Sequence, residues 1–352
     1  MWRFHHRRYL IVVAFGATLL TFLSIYHDLT SELVVGLQHI AADSVSAILG
    51  SESQGKVGTI DTTSLRGHGT DHLLLQSKST AGQKSTEVKK VMHPDTFYFT
   101  ILRHPVEQAV SAFSYFKSSA SAFRNVDSLD SFMQNPLRFF RPGAKGNYLA
   151  HNLMWFDLGL DPEKNHTQTQ LQKIFSSLDD TFSIVLLADY FDESMVLLRH
   201  ALCWSLDDVV TFKINSRSNA SIKAISQETA VRLRQWNSLD WALYSHFNTS
   251  FWDRAVHFGL ERLDAEVQEL RARRNVLATL CLQGSALEAK IINDTRFKPY
   301  QQGTVEILGY KLKPGLSNEE FSRCSRLIVP GLQYEARLFA RQFPKKIRTP
   351  MN

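Results

Sequence analysis

An arginine stands where an apolar strand pattern ends and a helical pattern begins. The residues of Phe97–Leu102 are aromatic, aliphatic or β-branched, as in a buried strand, and Arg103 and Pro105 follow. Proline is tolerated at the first position of a helix, where unpaired N–H groups carry positive potential that attracts anions. The pattern therefore predicts a phosphate-binding strand–turn–helix around Arg103. The alternative that spacing leaves open is an arginine that only caps the edge of a sheet.

The elements that would position this arginine form an alternating pattern. The helical segment after the proline has one apolar face, formed by Val106, Val110 and Phe113. A second apolar strand pattern at residues 182–187 (FSIVLL) leads through ADYFDES into a helical pattern that ends at Cys203, and a third extended pattern lies at residues 209–215. Residues 226–274 are mostly helical in pattern, with a break near Asn248. Strands that alternate with helices predict an α/β fold with a parallel sheet flanked by helices on both faces.

Composition excludes several classes of protein. The chain has 352 residues, of which 44% are hydrophobic and 21% charged, so it is an ordinary globular sequence rather than a disordered one. The net charge is +6, but lysine and arginine are scattered and form no basic block interleaved with stacking aromatics, so no nucleic-acid partner is expected. Three widely spaced cysteines do not form the paired spacing of a zinc site, and no metal is expected.

The N-terminal residues predict the compartment. Arg3, Arg7 and Arg8 precede an uncharged run at residues 9–26, close to the roughly 20 apolar residues that span a bilayer. We interpret the run as an uncleaved signal anchor with the N-terminus in the cytosol; a cleavable signal peptide is the alternative. The rest of the chain then lies in the secretory lumen, where four N-glycosylation sequons would be used: Asn165, Asn219, Asn248 and Asn293.

The domain organisation follows from these features. Residues 1–8 are expected to form a cytosolic tail, residues 9–26 a transmembrane helix and residues 27–86 a stem. The stem is indicated by a Gly-, Ser-, Thr- and Lys-rich composition with little periodicity from about residue 50 onward. Residues 87–346 are expected to form the luminal domain.

Five segments resemble one known family, in order along the chain. TILRHPVEQAVSAFSYF resembles the 3′-phosphate-binding segment of sulfotransferases that use 3′-phosphoadenosine-5′-phosphosulfate, in which a serine follows the strand-ending arginine by eight residues; here these are Arg103 and Ser111. The segments NYLAHNLMWFDLGLD, VLLADYFDESMVLLRHALCW, WNSLDWALYSHFNTSFW and ILGYKLK narrow the resemblance to the galactose 3-O-sulfotransferase family.

The resemblance implies an enzyme of the Golgi membrane with a single-pass type II topology. It would move a sulfonate from 3′-phosphoadenosine-5′-phosphosulfate, its co-substrate, to the 3-hydroxyl of a terminal galactose on a glycolipid or glycoprotein. Its fold would be a sulfotransferase-type parallel sheet, similar to P-loop nucleotide-binding folds. Arg103 would offer its planar fork of donors to the 3′-phosphate, and the Ser111 hydroxyl would bind the same group. The sequence specifies neither the acceptor glycan nor an oligomeric state.

The chain departs from the family pattern before residue 87. Family members carry there a strand and a Lys-Thr-x-Ser-Ser-Thr loop that binds the 5′-phosphosulfate, but residues 50–86 are too short and too polar for that strand, loop, helix and second strand. GQKST at residues 82–86 is not preceded by a strand, and we do not interpret it as the loop. The N-terminal part of the sheet is therefore expected to be incomplete. The alternative function is a catalytically impaired family member that binds a glycan or nucleotide.

No catalytic residue is assigned from the sequence. The histidines that could act as a general base are His68, His72, His93, His104 and His151. His104 is expected to face the 3′-phosphate end, and His151 is expected to be packed or to line the substrate. For the cysteines we predict a Cys281–Cys324 disulfide and a buried, free Cys203.

Overall fold

The computed structural model describes residues 11–13, 92–218, 224–301 and 305–343, with only the backbone described for the first range. Five strands and thirteen α-helices lie in these ranges. The strands are β1 Ile11–Val13, β2 Phe97–Leu102, β3 Ile184–Leu187, β4 Leu287–Glu288 and β5 Leu308–Gly309. The helices are α1 Pro105–Tyr115, α2 Ser121–Arg124, α3 Leu129–Gln134, α4 Pro136–Phe139, α5 Leu153–Asp157, α6 Gln168–Asp179, α7 Phe191–Leu202, α8 Leu206–Val209, α9 Gln227–Trp236, α10 Ser238–Phe258, α11 Leu260–Cys281, α12 Asn318–Ile328 and α13 Gly331–Gln342.

The main sheet is parallel and has β2 at its centre. β1 pairs with one edge of β2, with Ile11 opposite Phe97, and β3 pairs with the other edge, with Phe99 opposite Ile184. The predicted α/β class with a small parallel sheet is confirmed. β4 and β5 form a separate antiparallel pair.

The first of two hydrophobic cores among the described residues surrounds β2 and β3 of the parallel sheet. β2, β3, α7, α10 and α11 contribute to it, and Leu186, Leu187, Met195 and Leu243 are fully buried there. The β3 strand is apolar throughout because all four of its residues are buried, as in a strand covered on both faces. The second core lies between α1, α2, α3 and α9 and includes Phe123, Phe132 and Leu233. α1 thus packs on the second core while its first residues follow the central strand.

Charged side chains of α11 join the helices outside the sheet. Asp192, in the first turn of α7, accepts hydrogen bonds from Arg271 and Arg274, and the Nε of Arg271 lies 2.7 Å from the carboxylate. Asp207 of α8 accepts hydrogen bonds from Arg273 of α11 and Arg323 of α12, and each is 2.6 Å long. Arginines of α11 therefore tie this helix to α7 and α8, and Asp207 also joins α8 to α12.

The helical prediction for residues 226–274 is correct in type but wrong in its break. α10 continues through Asn248 without interruption, and the chain instead breaks at Asn237 and at Gly259. Gly259 has φ 99, in the left-handed region where a side chain would be strained, so it ends α10 and redirects the chain into α11. Because Phe247 and Phe251 remain buried across this region, packing stabilises the helix around the sequon.

The third extended segment, residues 209–215, is not a strand of the parallel sheet. Val210, Phe212 and Ile214 are buried in alternation, which explains the strand-like pattern. The segment runs as an irregular chain, and the N–H of Ile214 bonds to the Phe212 carbonyl two residues back. The segment was predicted only to be extended; it reaches the core with alternating burial but pairs with no strand among the described residues.

The cysteines form the predicted pair, but Cys203 is exposed. Cys281, at the end of α11, is bonded to Cys324 of α12, with the two Cα atoms 5.3 Å apart. Cys203 follows the buried end of α7 and has φ 54, so it turns out of the helix as its left-handed C-cap. The prediction of a buried thiol was wrong because the apolar pattern ends with Leu202, one residue earlier.

The predicted cytosolic tail and stem, and most of the predicted anchor, lie outside the described residues. Ile11–Val13 belongs to the predicted anchor run and is a strand in the structure. In the part of the chain that the structure describes, no helix is both long enough and apolar enough to cross a bilayer. The anchor therefore stays a prediction.

Candidate functional site

The carboxyl ends of β2 and β3 lie side by side at one edge of the sheet. Arg103 and His104 follow β2, and Asp189 lies in a short 3₁₀ turn, Ala188–Tyr190, that follows β3. Because the strands are parallel and adjacent, these turns lie side by side. The backbone N–H of His104 donates a hydrogen bond to Oδ2 of Asp189 at 2.8 Å. The first turn is thus locked to the second directly before α1 begins.

The predicted phosphate-binding residues lie along one face of α1. Arg103 precedes the helix, and its Nη2 donates to Oε2 of Glu107 at 3.3 Å; the Arg103 side chain is 30% exposed and that of Glu107 is 57% exposed. Ser111 is one helical turn beyond Glu107 and is half-buried. Arg103 can therefore turn away from its surface carboxylate toward an anion above the N-terminus of α1.

A second arginine reaches the same helix face from far along the chain. Nη1 of Arg217 donates to Oγ of Ser114 at 3.1 Å. Burial lowers the pKa of Arg217 below its ordinary value, the positive charge of Arg103 lowers it further, and Glu107 opposes both effects. Sequence reasoning missed Arg217, because the surrounding FKINSRSN carries no local motif and its partner is 103 residues earlier.

An aromatic cluster surrounds His104. The centres of the Trp241 and Tyr244 rings each lie 5.5 Å from the imidazole, in edge-on geometry. The Tyr244 hydroxyl donates to Oδ2 of Asp189 at 3.3 Å, and burial, followed by the charge of Asp189, raises the pKa of Tyr244. Nδ1 of His104 is buried and has no hydrogen-bond partner among the described residues. The ring is thus held by packing, beside the turn that carries Arg103.

Of the other histidines considered as a general base, the structure describes His93 and His151. His93 is exposed, and its Nδ1 accepts from the N–H of Asp95 at 3.2 Å. His151 packs on Trp236 with ring centres 4.4 Å apart and pairs with Glu163 at 3.0 Å. His151 is therefore a packed residue, one of the two roles expected for it. His68 and His72 lie outside the described residues.

A buried polar network holds the first turn of α5, which contacts the backbone of Arg103. The carboxylate of Asp240 accepts from the N–H groups of Met154 at 3.2 Å and Trp155 at 2.8 Å, in the first turn of α5. Met154 in turn places its sulfur 3.5 Å from the backbone N of Arg103, which donates to it. The fixed first turn of α5 thus supports the start of the candidate site.

The predicted glycosylation sequons occupy different environments. Asn165 and Asn293 are exposed and lie in loops, before α6 and after a 3₁₀ turn. Asn248 is half-buried in the middle of α10. Asn219 lies outside the described residues. In the part of the chain that is described, no group of three or more His, Cys, Asp or Glu side chains is placed to hold a metal ion.

Comparison with known proteins gives consistent matches. A family model described as Galactose-3-O-sulfotransferase matches residues 82–342. Galactose-3-O-sulfotransferase 2 from Homo sapiens is 48% identical, over 74% of this chain and 66% of its own length. Galactose-3-O-sulfotransferase 4 from Bos taurus is 40% identical, over 75% and 69% of the respective chains, and Galactosylceramide sulfotransferase from Mus musculus is 36% identical, over 74% and 63%.

The matches agree with one another in extent. The chain spans 66% of the length of the human relative and 63% of the mouse one, so a substantial part of each relative has no counterpart in the match. No solved structure matches the chain significantly. Because the family model covers most of the chain, including β2, β3 and the turn at Arg103, the chain belongs to the galactose-3-O-sulfotransferase family.

Proposed function

We propose that this protein is a galactose 3-O-sulfotransferase that takes its sulfonate from 3′-phosphoadenosine-5′-phosphosulfate. The acceptor is the 3-hydroxyl of a terminal galactose on a glycolipid or glycoprotein. The observation that carries the proposal is the position of Arg103, half-buried at the carboxyl end of the central strand and at the N-terminus of α1, with Ser111 on the same helix face. The names of the three relatives support the choice of acceptor sugar, because each contains galactose or galactosyl.

The described residues fit the 3′-phosphate end of this donor. A guanidinium fork, a helix N-terminus and a nearby hydroxyl are groups that bind phosphate in a directed way. In the reaction the galactose 3-oxygen attacks sulfur, the bond from sulfur to the bridging phosphate oxygen breaks, and the hydroxyl proton passes to a base. Arg103 and Ser111 would orient the donor for this in-line displacement without touching the reacting atoms.

Binding of the donor can be tested without turnover. Arg103→Ala should weaken binding of adenosine 3′,5′-bisphosphate by about 1.5–3 kcal/mol, the usual scale for a hydrogen bond to a charged group. Ser111→Ala should weaken it less. Isothermal titration calorimetry on the full chain measures both. Equal affinity of the parent and Arg103→Ala would remove the role assigned to Arg103.

A second candidate function is binding without transfer. The observation that favours it is that neither described strand–helix turn, after β2 or after β3, contains a lysine. In family members a lysine-bearing loop neutralises charge at the phosphosulfate, and removing even one such donor typically lowers the rate by about 10²–10³. This second candidate predicts that the chain transfers no measurable labelled sulfonate to galactosylceramide or to β-galactosides, whereas the first candidate predicts transfer.

The transfer assay decides between the two candidates. A version with the family's missing segment inserted after about residue 50 should transfer sulfonate, and the same version with Arg103→Ala should be strongly impaired. Robust turnover by the unmodified chain would exclude the binding-only candidate. It would also show that residues 50–86 provide the phosphosulfate site, with Lys84 as the first residue to substitute.

The proposed location is the Golgi membrane, with residues 9–26 as the anchor and the family domain in the lumen. The exposure of Asn165 and Asn293 supports glycosylation, because an oligosaccharide attached to either loop can extend into solvent. Removal of N-glycans from protein made in cells should increase its mobility. Asn165→Gln and Asn293→Gln should each abolish one step of that shift. An unshifted protein with every sequon intact would contradict the luminal placement.

A further inference from the structure

The face of α1 that carries the candidate phosphate site holds more cationic charge than the described carboxylates balance. Glu107, Ser111 and Ser114 recur at intervals of four and three residues, so they lie along one stripe of the helix, with Arg103 just before it. Arg217 approaches the far end of this stripe. Glu107 is the carboxylate that acts on both arginines, and it is exposed.

Arg103 and Arg217 contact side chains of the same stripe of α1, Glu107 and Ser114, and their positive charges repel each other. Like charges in a partly buried place are unfavourable unless an anion or a firm structural constraint compensates for them. Burial and the charge of Arg103 both lower the pKa of Arg217, which is the electrostatic signature of this repulsion. A phosphate monoester, with about 1.5 to 2 negative charges at neutral pH, would balance two guanidinium groups.

The backbone of Arg217 is firmly positioned. It forms an antiparallel bridge with Ile307, and on either side of it the N–H of Ser218 donates to the carbonyl of Glu306 and the N–H of Leu308 donates to that of Ser216, both at 2.9 Å. This region follows the irregular segment that links the core to α9. The guanidinium therefore extends from a fixed point toward α1.

Ser114 orients the Arg217 side chain. Its hydroxyl donates to the carbonyl of Val110 at 2.9 Å and accepts from Nη1 of Arg217 at 3.1 Å, so both functions of the hydroxyl are used. A hydroxyl engaged in this way fixes the direction of the guanidinium along the helix. Ser111, between Glu107 and Ser114, makes no side-chain hydrogen bond to another described residue, so within the described part of the chain its hydroxyl is available for a ligand.

We propose that Arg217 is a second arginine of the 3′-phosphate site, where it binds the 3′-phosphate of an adenosine bisphosphate together with Arg103, and that Ser114 positions it. This inference rests on the proposed donor site at Arg103 and extends it to a residue of a distant segment. On binding, Arg103 exchanges its surface contact with Glu107 for the phosphate, and the phosphate lies between the two guanidinium groups. Arg217 thereby makes the site selective for nucleotides that carry a 3′-phosphate.

Selectivity for the 3′-phosphate is the quantity that tests this role. Calorimetry on the full chain compares adenosine 3′,5′-bisphosphate with adenosine 5′-monophosphate for the parent, Arg217→Ala, Arg217→Lys and Ser114→Ala. Arg217→Ala should weaken bisphosphate binding about 10- to 150-fold and leave monophosphate binding unchanged. Arg217→Lys should retain part of the selectivity, because it keeps a charge without the planar fork. Ser114→Ala should reduce selectivity less than Arg217→Ala.

Arg254→Ala is the matched control, since Arg254 is an exposed arginine of α10 that donates to the Ser183 carbonyl before β3. It should bind both nucleotides as the parent does. If Arg217→Ala does not keep the parental circular dichroism spectrum, Arg217→Gln replaces it, because glutamine retains a donor for Ser114 without the charge.

The outcomes separate the two proposals. If Arg103→Ala and Arg217→Ala each lose the selectivity for the bisphosphate, the donor site and the role of Arg217 are both supported. Loss in Arg103→Ala with parental selectivity in the Arg217 variants overturns the role of Arg217 and leaves the donor site intact. If the parent shows no preference for the bisphosphate, or if Arg103→Ala retains it, the donor site falls and the role of Arg217 falls with it.

Discussion

Asn152 and Asp240 cap each other's helices. Oδ1 of Asn152, which directly precedes α5, accepts from the N–H groups of Leu239 and Asp240 at 3.1 and 3.3 Å, in the first turn of α10. The Asp240 carboxylate accepts from the first turn of α5 in return. Both residues are almost fully buried. The arrangement joins two helix starts that are separated by 85 residues or more in sequence, and through Met154 it supports the backbone of Arg103.

The Asn152 caps should contribute measurably to stability. Asn152→Ala removes the acceptor of two N–H groups, that of buried Asp240 and that of half-buried Leu239, which should lower the free energy of unfolding by up to about 1–3 kcal/mol per group. Asn152 has φ 45, so Asn152→Gly separates the lost hydrogen bonds from backbone strain. Urea unfolding measures both variants.

The control for Asn152 is Asn135→Ala. Asn135 is exposed and makes no side-chain cap at the start of α4. The midpoint of urea unfolding of Asn135→Ala should lie close to that of the parent. Parental stability of Asn152→Gly would show that the caps contribute little.

Asp240 should make stability fall as the pH rises toward neutrality. Burial raises the pKa of Asp240 from 3.8 to about 7, against the opposing hydrogen bonds from Trp155, Met154 and Leu153. Between these two values the folded chain holds a proton that the unfolded chain has lost. The free energy of unfolding therefore falls by about 1.4 kcal/mol per pH unit within that window, on account of this group.

Asp240→Asn removes that titration. The difference in stability between the parent and Asp240→Asn should shift in favour of the variant from pH 5 to pH 7. Asp253→Asn, on the exposed face of α10, is the surface control measured across the same range. A constant difference for Asp240→Asn as well would mean that the carboxyl is ionised throughout.

Asp192 should act in the opposite direction. Burial tends to raise its pKa, but hydrogen bonds and charges of Arg274 and Arg271 outweigh burial and hold the pKa below its ordinary value of 3.8. Its stabilising effect is therefore complete above about pH 4 and is lost as the pH falls through the lowered value. The side chain is only 14% exposed, so solvent screens the pair little.

Asp192→Asn measures this effect. At pH 7 the variant should lose about 1.5–3 kcal/mol of unfolding free energy, the scale of a hydrogen bond between charged groups. The loss should shrink when unfolding is followed below pH 4. A loss that is independent of pH would instead indicate a packing defect around α7.

The cysteines should differ in reactivity. Cys324→Ala, which opens the bond across 43 residues to Cys281, should lower the free energy of unfolding by about 2–4 kcal/mol. Cys203, which is exposed, should react with a maleimide in the native protein, and Cys203→Ser should unfold as the parent does. Peptide mapping without reduction checks the pairing. A disulfide that contains Cys203 would contradict the structure.

Local sequence was sufficient for the elements nearest the candidate site. β2, β3 and the helix after Pro105 are close to their predicted positions, because strand and helix patterns and a first-turn proline act over a few residues. Asp192 and Glu193, in the ADYFDES segment that was predicted to lead into a helix, lie in the first turn of α7. The break assigned near Asn248 and the burial of Cys203 were wrong, since burial of Phe247 and the left-handed cap at Cys203 depend on packing rather than on local pattern.

The sequence by itself determined the α/β class and the strand–turn–helix at Arg103. It also determined the family resemblance from which Ser111 was expected to bind the 3′-phosphate. The tertiary structure decided which distant side chains share that place. Arg217 contacts Ser114 across 103 residues, and Asp189 of the next strand turn binds the N–H of His104 across 85. The physical reason is that strand and helix propensity act between neighbours, whereas pairing of charges and hydrogen bonds across the carboxyl edge of a sheet exists only after parallel strands have come together.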